Sequence, residues 1–331
     1  MNLIRFGKTD LAVSQLCLGT MSMGSSAWKS WVLDEDAAIP LLRRALDLGI
    51  NFFDMADWYS IGRNEEVVGR NLRGMSARES LVLATKVYYP MSEDPNDRGL
   101  SRKHIATAID GSLARIGTDY IDLYVIHAFD PDTPVEETMQ ALHDTVRAGK
   151  VRYLGASTMY AWQFAKMNHV AALNGWTPFV NMQCQYNVLY REEEREMFPY
   201  CRDQGIAVST FSPLARGFLA RDAETTRTAH DVYQQFYGDE IDREIARRVR
   251  EVAARRGVSA AQLAMAWVAD NPNHNIPIVG AAQTLHVEAA VQALTLRLDE
   301  QERSYLEAPY RPRDEINDQN TLRRPRALHL G

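Results

Sequence analysis

Eight short apolar runs alternate with longer amphipathic segments along most of the chain. The runs are rich in aliphatic residues and are bounded by polar turns, which is typical of buried strands. They cover residues 16–20, 51–54, 81–85, 121–127, 151–157, 180–183, 207–211 and 276–280. Alternation of buried strands with helices indicates a parallel sheet. Eight such units predict a closed (β/α)8 TIM barrel, a fold that typically takes about 250 residues.

The segments between the runs have helical periodicity and recognisable ends. Helices are predicted over residues 34–48, 64–72, 101–116, 134–148, 160–174, 191–203, 242–256 and 259–270. Gly49 should end the first of them. Asn64, followed by two acids, should cap the second. The spacing of Ser259 and Gln262 predicts a capping box on the last.

An open doubly wound sheet is the alternative architecture for such an alternating chain. That fold usually carries a Gly-x-Gly-x-x-Gly motif after its first strand, and the motif is absent from this sequence. No linker with a shift in composition divides the chain. We therefore expect one α/β domain over residues 1–331, with a β-hairpin before the barrel and an extra C-terminal segment at 309–331.

The composition limits the kinds of partner that the chain can have. A net charge of −6 provides no general basic surface for nucleic acid. No apolar run approaches the roughly 20 residues that a membrane helix requires. Cys17, Cys184 and Cys201 have neither metal-binding nor disulfide-framework spacing, which indicates a reducing compartment. We expect a cytoplasmic protein that binds no metal, membrane or nucleic acid, whereas its oligomeric state is left open.

Ionisable residues follow the predicted strands at the positions where a barrel carries its active site. In (β/α)8 enzymes that site lies at the carboxyl ends of the strands. Asp54 ends the second strand and Tyr59 lies in the loop after it. Lys86 follows the third strand, and His127 ends the fourth. Four groups of different chemistry on one rim predict a proton-transfer site.

Four sequence motifs carry a resemblance to a known family. They are Phe-Asp-Met-Ala-Asp-Trp-Tyr at 53–59, Ala-Thr-Lys at 84–86, Asp-Tyr-Ile-Asp-Leu-Tyr-Val-Ile-His at 119–127 and Phe-Ser-Pro-Leu-Ala-Arg-Gly at 211–217. Together they resemble the aldo-keto reductases over nearly the whole chain. Residues 155–163 are similar to the aryl-alcohol-dehydrogenase-like branch. The resemblance implies an oxidoreductase that reversibly reduces aldehydes or ketones to alcohols with NAD(P)H.

The resemblance also implies that Asp54, Tyr59, Lys86 and His127 are the catalytic residues. Tyr59 would donate a proton to the developing alkoxide in reduction and accept it in oxidation. A phenol with a pKa of about 10 is a weak donor at neutral pH, and the ammonium of Lys86 should lower that pKa. Asp54 would keep the lysine charged and in place, while His127 would hydrogen-bond the carbonyl.

The hydride requires a nicotinamide cofactor, because no protein side chain supplies one. By resemblance, the carboxamide would be held by Ser157, Thr158 and Gln183. Phe211 would stack on the nicotinamide ring. The residues implied around the pyrophosphate are Ser212, Pro213, Leu214, Arg216 and Gly217. Further cofactor contacts are implied at Gly19, Thr20, Met21, Asp54, Gly280, Ala282, Gln283 and His286.

The adenosine end departs from the family pattern. Similar sequences usually carry Lys or Arg after the eighth strand to bind the 2′-phosphate, but this chain has neither between Gly257 and Leu296. His286 stands where Arg or Gln is common, and Ala289 with Ala290 replaces a Glu-Asn pair. Loss of a charge-assisted contact weakens the preference for the phosphorylated cofactor. The family implies NADP(H), with NAD(H) or dual use as the alternative.

Aromatic residues on the predicted loops indicate a hydrophobic substrate pocket. Trp31, Trp58, Tyr88 and Phe129 are the candidate substrate contacts, and Trp28 is a further aromatic on these loops. The expected partner is a small carbonyl or alcohol that is aromatic or bulky and apolar. Other parts of the chain carry weaker patterns. The segment 220–239 is either a flap over the cofactor or a polar surface loop, and the tail either covers the barrel or forms a subunit contact.

Two other functions occur in proteins with this kind of chain and must be compared with carbonyl reduction. Potassium-channel β-subunits share the fold and keep a bound cofactor while acting as partners with little turnover. A regulatory, redox-sensing subunit is therefore the alternative function. A cofactor-free sugar isomerase would need clusters of metal-ligating carboxylates and histidines on the rim, and the sequence contains none.

Overall fold

A computed structural model of the chain describes residues 1–220, 236–271 and 275–315. Two short strands, β1 (Leu3–Arg5) and β2 (Ala12–Ser14), pair antiparallel as the predicted hairpin. Eight further strands run parallel and close into a barrel in which the last pairs with the first. In chain order they are β3 (Cys17–Gly19), β4 (Phe52–Asp54), β5 (Val82–Val87), β6 (Ile121–Ile126), β7 (Val151–Ser157), β8 (Phe179–Gln185), β9 (Ala207–Phe211) and β10 (Ile276–Gly280). The predicted TIM barrel is confirmed.

Ten α-helices surround the barrel within the described residues. They are α1 (Glu35–Asp47), α2 (Arg63–Met75), α3 (Arg102–Ile116), α4 (Val135–Arg147), α5 (Ala161–Asn174), α6 (Met197–Gln204), α7 (Glu240–Arg256), α8 (Ala260–Ala269), α9 (Thr284–Ala293) and α10 (Glu300–Glu307). Helices α1 to α6 contact their neighbours in sequence, as α7 to α9 do, and α9 returns to α1. The helices and the outer faces of the strands bury one continuous apolar layer.

The hairpin closes the amino end of the barrel. Phe6, just after β1, packs edge-on against Phe52 of β4, with ring centroids 5.6 Å apart. Both belong to a buried cluster that includes Leu123, Ala207 and Ile276 from neighbouring strands. Apolar side chains thus fill much of this end, and the predicted ionisable residues lie towards the carboxyl ends of the strands. This is the end at which the site is predicted.

Alternation along the strands brings the predicted polar residues into the barrel. Side chains two residues apart on a strand point to the same face. Phe52 and Ala84 belong to the interior cluster, so Asp54 and Lys86, two residues further on, face the interior as well. The register pairs Asp54 with Ala84, which places the backbone of Lys86 nearer the mouth than that of Asp54.

Two predicted strands end too early. Strand β5 continues to Val87, so Lys86 lies within the strand rather than after it. Strand β8 continues to Gln185. Near these ends each strand is paired with one neighbour, β5 with β6 and β8 with β9. Backbone pairing to a neighbouring strand thus extends each one beyond its apolar run.

Asn64 does not cap α2, contrary to the prediction. The helix begins at Arg63, and Gly62 occupies the N-cap position with a left-handed backbone at φ +83°. Asn64 lies in the first turn and is completely buried. Its amide donates to the carbonyl oxygens of Thr20 and Met23 at 2.7 and 2.8 Å. The side chain therefore holds the loop after β3 instead of the helix end.

The predicted helix 191–203 is divided into two pieces. A 3-10 turn at Glu192–Glu194 precedes α6, which begins only at Met197. The Glu192 carboxylate accepts hydrogen bonds from the Tyr310 hydroxyl at 2.5 Å and the Arg313 N–H at 2.9 Å. The hydrophobic periodicity of residues 191–203 cannot reveal contacts with Tyr310 and Arg313, which lie far away in sequence.

Other predicted helix ends are confirmed. Gly49 has a left-handed backbone just after α1, and Ser259 with Gln262 forms the capping box of α8. An equivalent box on α10, formed by Asp299 and Glu302, has the same sequence signature but was not among the predictions.

The described part of the C-terminal segment lies against the outer helices. The Arg313 guanidinium pairs with Asp242 of α7 at 2.6 Å and donates to the Phe236 carbonyl oxygen at 3.1 Å. Residues 316–331 lie outside the described residues, as do residues 221–235 of the segment predicted as a flap or surface loop. The single-domain organisation of residues 1–331 stays a prediction. Within the described ranges, no helix has both the length and the apolarity to cross a membrane.

Candidate active site

Lys86 lies at the centre of the polar layer in the barrel and is completely buried. Its ammonium donates to Asp54 Oδ2 at 2.7 Å, to the Met55 carbonyl oxygen at 2.8 Å and to the Tyr59 hydroxyl oxygen at 3.3 Å. An ammonium has three donors, so each one is engaged. Because the lysine donates to the phenol oxygen, the proton of Tyr59 is available to another acceptor.

The charge states of these groups depend on one another. Burial lowers the pKa of Lys86, but Asp54 and Tyr59 outweigh burial and the net pKa is raised. The lysine is therefore charged. Burial raises the pKa of Tyr59 above its ordinary value, and the opposing effect of Lys86 is smaller. Lys86 lowers the pKa of Tyr59, as predicted, but desolvation of the phenolate raises it by more than one ammonium lowers it.

His127 directly follows β6 and faces the phenol across the mouth. Its ring lies edge-on to that of Tyr59, with centroids 5.7 Å apart and an interplanar angle of 77°. Burial, and then the charge of Lys86, lowers the pKa of His127 well below its ordinary value. The imidazole is therefore neutral near neutral pH. Its buried Nδ1 has no hydrogen-bond partner among the described residues.

Gln183 makes a contact with Asp54 that the sequence did not predict. Its Nε2 donates to Asp54 Oδ1 at 2.9 Å, so both carboxylate oxygens are engaged, the other one by Lys86. Ser157 pairs with Gln183 in the strand register, and its hydroxyl lies 3.0 Å from that of Thr158. The three residues predicted for the carboxamide are thus brought together beside Asp54. No local signal could reveal a contact that spans 129 residues.

A second buried charge cluster lies behind the loop between β4 and α2. Glu65 is completely buried and accepts hydrogen bonds from Arg115 Nε at 2.6 Å and from the Thr85 hydroxyl. Asp57 is also buried, and its carboxylate accepts the N–H of Trp58 at 2.6 Å. Burial, and then the charge of Glu65, raises the pKa of Asp57 well above its ordinary value. These contacts fix the backbone of the loop that carries the phenol.

The loop after β9 is bent by non-glycine residues with left-handed backbones. Ser212, Ala215 and Arg216 have φ values of +55°, +47° and +58°, and each such residue costs of order 1 kcal/mol or more. The charge of the Arg216 guanidinium helps to lower the pKa of Tyr59, so this loop acts electrostatically on the barrel mouth. The remaining residues predicted for the pyrophosphate, Pro213, Leu214 and Gly217, lie in the same loop. Strain and positive charge coincide at this turn.

Gly19 ends β3 between two neighbouring strand ends. It pairs with Asp54 on one side and with Gly280 on the other. A side chain at this position would lie 2.8 Å from Ile278 Cγ2, so the closeness of the strands favours glycine. Thr20 donates its N–H and its hydroxyl to the Asp54 carbonyl oxygen at 3.0 and 2.8 Å. Of the predicted contacts, this side of the mouth carries Gly19, Thr20, Met21 and Gly280.

The turn between β10 and α9 leaves Ala282 and Gln283 exposed. The Ala282 N–H donates to Nδ1 of His286 at 3.3 Å. Arg44 of α1 reaches α9 and pairs with Glu288 at 2.7 Å. The fold therefore places Arg44 beside α9, which could not be predicted from its position in the sequence. Glu288 of the same helix pairs with it.

Thr158 and Phe211 line one cleft together with Gln185, Glu193 and Glu315. Thr158 follows β7 with a left-handed backbone at φ +51°, and Phe211 ends β9 half-buried. Burial, followed by the charge of Glu315, raises the pKa of Glu193 well above its ordinary value. Glu315 belongs to the C-terminal segment, and nothing in the local sequence predicts that it reaches this cleft.

Trp58 and Tyr89 line the approach to His127. The Trp58 and Tyr89 ring centroids are 4.9 Å apart, and those of Tyr89 and His127 are 4.8 Å apart. Tyr89 was not predicted, whereas the adjacent Tyr88 was, and their centroids are 5.2 Å apart. Consecutive aromatic residues in a loop point in different directions, and no periodicity identifies the one that turns to the site.

Two other predicted substrate residues, Trp31 and Phe129, pack against different aromatic rings. Trp31 packs against Trp28 with centroids 6.4 Å apart, and Trp28 packs against Trp58 at 5.2 Å. Trp31 is thus connected to the mouth through other tryptophans. Phe129 packs on Trp162 of α5 at 6.3 Å.

The mouth combines groups that suit the delivery of a proton to an oxygen atom. A phenol whose proton is free to move, a neutral imidazole and a buried ammonium surround the same space. Such groups stabilise negative charge that develops on an oxygen. Within the described ranges, no three or more His, Cys, Asp or Glu residues are grouped as metal ligands.

Comparison with known proteins agrees, over most of the chain, with the family resemblance that the sequence motifs indicated. The model of the aldo/keto reductase family matches residues 15–311. The versiconal hemiacetal acetate reductase of Aspergillus parasiticus is 40% identical, with 95% of this chain and 98% of that protein covered. A putative aryl-alcohol dehydrogenase of Schizosaccharomyces pombe is 41% identical, with 92% and 95% covered. Another, from Saccharomyces cerevisiae, is 39% identical, with 93% and 97% covered. On this coverage and identity the chain belongs to the aldo/keto reductase family, oxidoreductases that reduce carbonyl compounds and generally use NAD(P)H.

Proposed function

We propose that this protein reversibly reduces aldehydes or ketones to alcohols with NAD(P)H, and that Tyr59 is the proton donor. The observation that carries the proposal is the buried Lys86 ammonium, which joins the Asp54 carboxylate to the Tyr59 hydroxyl beside His127. Apolar side chains would stabilise the core at least as well as a buried ion pair, because they need no desolvation of charge. The ion pair beneath the phenol is therefore better explained by chemistry than by stability. The arrangement is suited to proton transfer.

Tyr59 holds its proton until an oxygen with developing charge takes it. The raised pKa of the phenol keeps it protonated at neutral pH. As hydride reaches the carbonyl carbon, the carbonyl oxygen becomes an alkoxide, which is basic enough to take the phenol proton. The phenolate that forms is stabilised by the Lys86 ammonium, which already donates to its oxygen. In oxidation the same steps run in reverse.

His127 orients the carbonyl in this proposal. Because the imidazole is neutral, it can donate a hydrogen bond to the carbonyl oxygen without competing with Tyr59 as the acid. Asp54 and Gln183 hold the lysine in place, since Gln183 and Lys86 bind the two oxygens of the same carboxylate. Removal of any member of this chain of contacts would leave a buried polar group without its partner.

The residues of the mouth fit a nicotinamide dinucleotide. Polar Ser157, Thr158 and Gln183 would hold the carboxamide, and Phe211 would contact the ring. The strained loop after β9, with the cationic Arg216, would hold the pyrophosphate, because backbone N–H groups in such turns bind anions. When bound, the cofactor supplies the hydride that no side chain provides.

We propose NADP(H) as the cofactor on family grounds, with NAD(H) as the alternative. Nδ1 of His286 already accepts the Ala282 N–H, so that ring nitrogen is engaged within the chain. Arg44 is paired with Glu288. A 2′-phosphate would therefore gain less here than from a dedicated cation. We expect the two cofactors to differ in KM by less than about a hundredfold, which corresponds to under about 3 kcal/mol.

The proposed substrate is an aromatic or bulky apolar carbonyl compound, and the location is the cytoplasm. Trp58 and Tyr89 provide aromatic surface beside His127, and aromatic rings pack favourably on such surfaces. Cys17, Cys184 and Cys201 are buried and unpaired, which fits a reducing compartment.

A substrate panel with both cofactors tests the proposal. Purified protein is assayed for oxidation of NADPH and NADH with benzaldehydes and bulky aliphatic aldehydes. Sustained turnover of aromatic aldehydes is the expected result. Tightly retained cofactor with negligible turnover across the panel would contradict it and would favour a regulatory subunit of the potassium-channel type. The ratio of the two KM values separately decides the cofactor preference.

A further inference from the structure

Glu65 is a buried carboxylate to which the proposed mechanism assigns no task. It lies in the first turn of α2, and its side chain is completely buried. One carboxylate oxygen accepts the Thr85 hydroxyl of β5 at 2.5 Å, and the other accepts Nε of Arg115 of α3 at 2.6 Å. A buried carboxylate is unfavourable unless its charge and its oxygens are matched, and both are matched here. The carboxylate therefore joins two helices to one strand of the barrel.

Thr85 immediately precedes Lys86, and the two side chains point to opposite faces of β5. Successive side chains alternate along a strand, so the lysine faces the barrel interior and the threonine faces the helices. Thr85 is completely buried, and its hydroxyl donates to Glu65. A contact on the outer face of the strand thus holds the residue next to the lysine.

The end of β5 has strand pairing on one side and a loop on the other. Pairing with β6 continues to the end of the strand, whereas pairing with β4 ends at Ala84. Beyond that point the Asp57 N–H, in the loop after β4, donates to the Lys86 carbonyl oxygen at 3.3 Å. The contact between Glu65 and Thr85 adds a side-chain link on this side, because α2 follows the same loop.

The contact between Lys86 and the phenol is the longest of three. The ammonium nitrogen lies 2.7 Å from Asp54 Oδ2 and 2.8 Å from the Met55 carbonyl oxygen, but 3.3 Å from the Tyr59 hydroxyl oxygen. Hydrogen bonds from nitrogen to oxygen seldom exceed about 3.2 Å, so a small shift of the strand would separate the two groups. Glu65 connects the chain segment that carries the phenol to the strand that carries the lysine.

We propose that Glu65 is a positioning residue that sets, through the Thr85 hydroxyl, the distance between the Lys86 ammonium and the Tyr59 hydroxyl. The inference rests on the proposed function, since it assigns a supporting group to the proton donor. Glu65 acts from behind β5 and takes no part in proton transfer itself. A carboxylate that only stabilised the packing of α2 and α3 would leave the lysine in place when its contact with β5 is lost.

The test removes the Thr85 hydroxyl and keeps the shape of its side chain. Thr85→Val deletes the donor, and Thr85→Ser restores it. Oxidation of benzyl alcohol is measured across pH with the cofactor of lower KM. In Thr85→Val we expect kcat to fall about tenfold, because slight misplacement of catalytic groups slows a reaction strongly. The acid-side limb of the kcat/KM profile should move to higher pH, cofactor affinity should stay nearly unchanged, and Thr85→Ser should restore both kcat and the profile.

The pH profile separates positioning from support of the packing, because Thr85→Val removes no charge. The charged and titratable groups that act on the Tyr59 phenol or face it are Lys86, Asp54, Arg216 and His127. Of these, Lys86 is the neighbour of Thr85 in the chain. An ammonium that lies farther from the phenol lowers its pKa less, so a shifted limb reports a displaced lysine.

Thr145→Val is the matched control. Thr145 is buried in α4 and donates its hydroxyl to the Leu142 carbonyl oxygen at 2.7 Å. Urea unfolding measures the stability of both valine variants, and the control should keep the wild-type kcat and pH profile whatever stability it loses. Reduced stability in Thr85→Val with the wild-type kcat and profile would show that Glu65 only supports the packing, and would overturn the proposal.

Crystal structures make the outcome independent of turnover. The distance from Lys86 Nζ to the Tyr59 hydroxyl oxygen is measured in the wild type, in Thr85→Val and in Glu65→Asp. The last variant retracts the carboxylate by one methylene, keeps its charge and serves if Thr85→Val does not fold. A distance beyond roughly 3.5 Å in the variants supports positioning, and an unchanged distance refutes it. If the wild type turned over no alcohol or aldehyde with either cofactor, the proposed function would fail, but these distances would still test Glu65.

Discussion

The environment of Lys86 sets the chemistry available to this site. Burying an ammonium costs several kcal/mol unless its donors and its charge are matched. The Asp54 carboxylate matches the charge, and the Met55 carbonyl and the Tyr59 hydroxyl take the other donors. The lysine therefore remains charged in a closed interior. Its charge is directed at the one phenol oxygen that must become negative during proton transfer.

Replacement of Lys86 by Met should abolish most of the activity. Without the ammonium the pKa of Tyr59 rises further, because Lys86 is the largest influence that lowers it. In alcohol oxidation the phenolate acts as the base, so the rising, acid-side limb of the kcat/KM profile should move to higher pH. Turnover near neutrality should fall by at least about a hundredfold. Steady-state assays of both directions across pH measure both effects.

The control is Lys150→Met, which removes a lysine that pairs with Asp110 at 2.5 Å on the surface. Exposed pairs contribute about 0–1 kcal/mol, so this variant should keep the wild-type profile. An unshifted profile in Lys86→Met would refute the role assigned to the lysine.

The sequence predicted which side chains face the barrel interior where residue type and the two-residue period of a strand decide their direction. Asp54, Lys86 and His127 face the interior because they continue the alternation of buried strand residues. The net pKa of Tyr59 was not predictable, since it depends on how completely the fold removes water from the phenol. Tyr89 was missed because loop backbone geometry, not periodicity, turned it towards His127.

At the scale of elements, α2 connects the phenol loop to the loop after β3. Gly62 begins the helix with a left-handed backbone, which frees Asn64 to point inward. Its amide then holds Thr20 and Met23. The first turn of this helix thus connects two strand–helix loops, one with the predicted cofactor contacts Thr20 and Met21 and the other with Tyr59.

Asn64→Ala should destabilise the protein and weaken cofactor binding together. The substitution leaves the carbonyl oxygens of Thr20 and Met23 without their buried donor, which costs about 2–4 kcal/mol. Urea unfolding measures the loss of stability, and titration with NADPH measures the Kd. Asn174→Ala is the matched control, because Asn174 donates to the Val170 carbonyl oxygen near the end of α5. Wild-type stability in Asn64→Ala would show that these hydrogen bonds do not hold the loop.

Most elements were predictable because the barrel strands are apolar and the helices are amphipathic. The exceptions have long-range causes. β5 and β8 continue beyond their apolar runs through pairing with neighbours. The helix predicted at 191–203 is divided where Glu192 binds Tyr310 and the Arg313 N–H. A local pattern contains no information about partners more than 100 residues away.

At the scale of the whole molecule, the amino-terminal hairpin and residues 309–315 contact different parts of the barrel. The amino-terminal hairpin closes one end with Phe6. The described residues of the C-terminal segment, 309–315, contact Glu192 and Asp242, and Glu315 lines a cleft with Thr158 and Phe211. Because the hairpin closes the amino end of the barrel, the carboxyl end remains for the candidate active site. The sequence predicted the hairpin from its strands and turn, whereas the path of the C-terminal segment depends on contacts across the fold.

Arg313→Met should release the C-terminal segment from α7. The guanidinium pairs with Asp242, whose side chain is 1% exposed, and donates to the Phe236 carbonyl oxygen. Loss of these contacts should lower the free energy of unfolding by about 1–3 kcal/mol and raise the Kd of the cofactor. Arg311→Met provides the comparison, since Arg311 is exposed and, among the described residues, donates to the carbonyl oxygens of Pro309 and Tyr310. Equal stability and affinity in the two variants would contradict a holding role for Arg313.

The most direct test of the account is transfer of deuterium from NADPH labelled at the reacting position of its nicotinamide. Wild type and Tyr59→Phe are compared with an aromatic aldehyde, and label in the alcohol is quantified by mass spectrometry. We predict one deuterium at the carbinol carbon with the wild type. For Tyr59→Phe we predict a transfer rate lowered by at least about a hundredfold with nearly unchanged NADPH affinity. Label transfer by Tyr59→Phe at the wild-type rate, or wild-type product without label, would contradict the proposed mechanism.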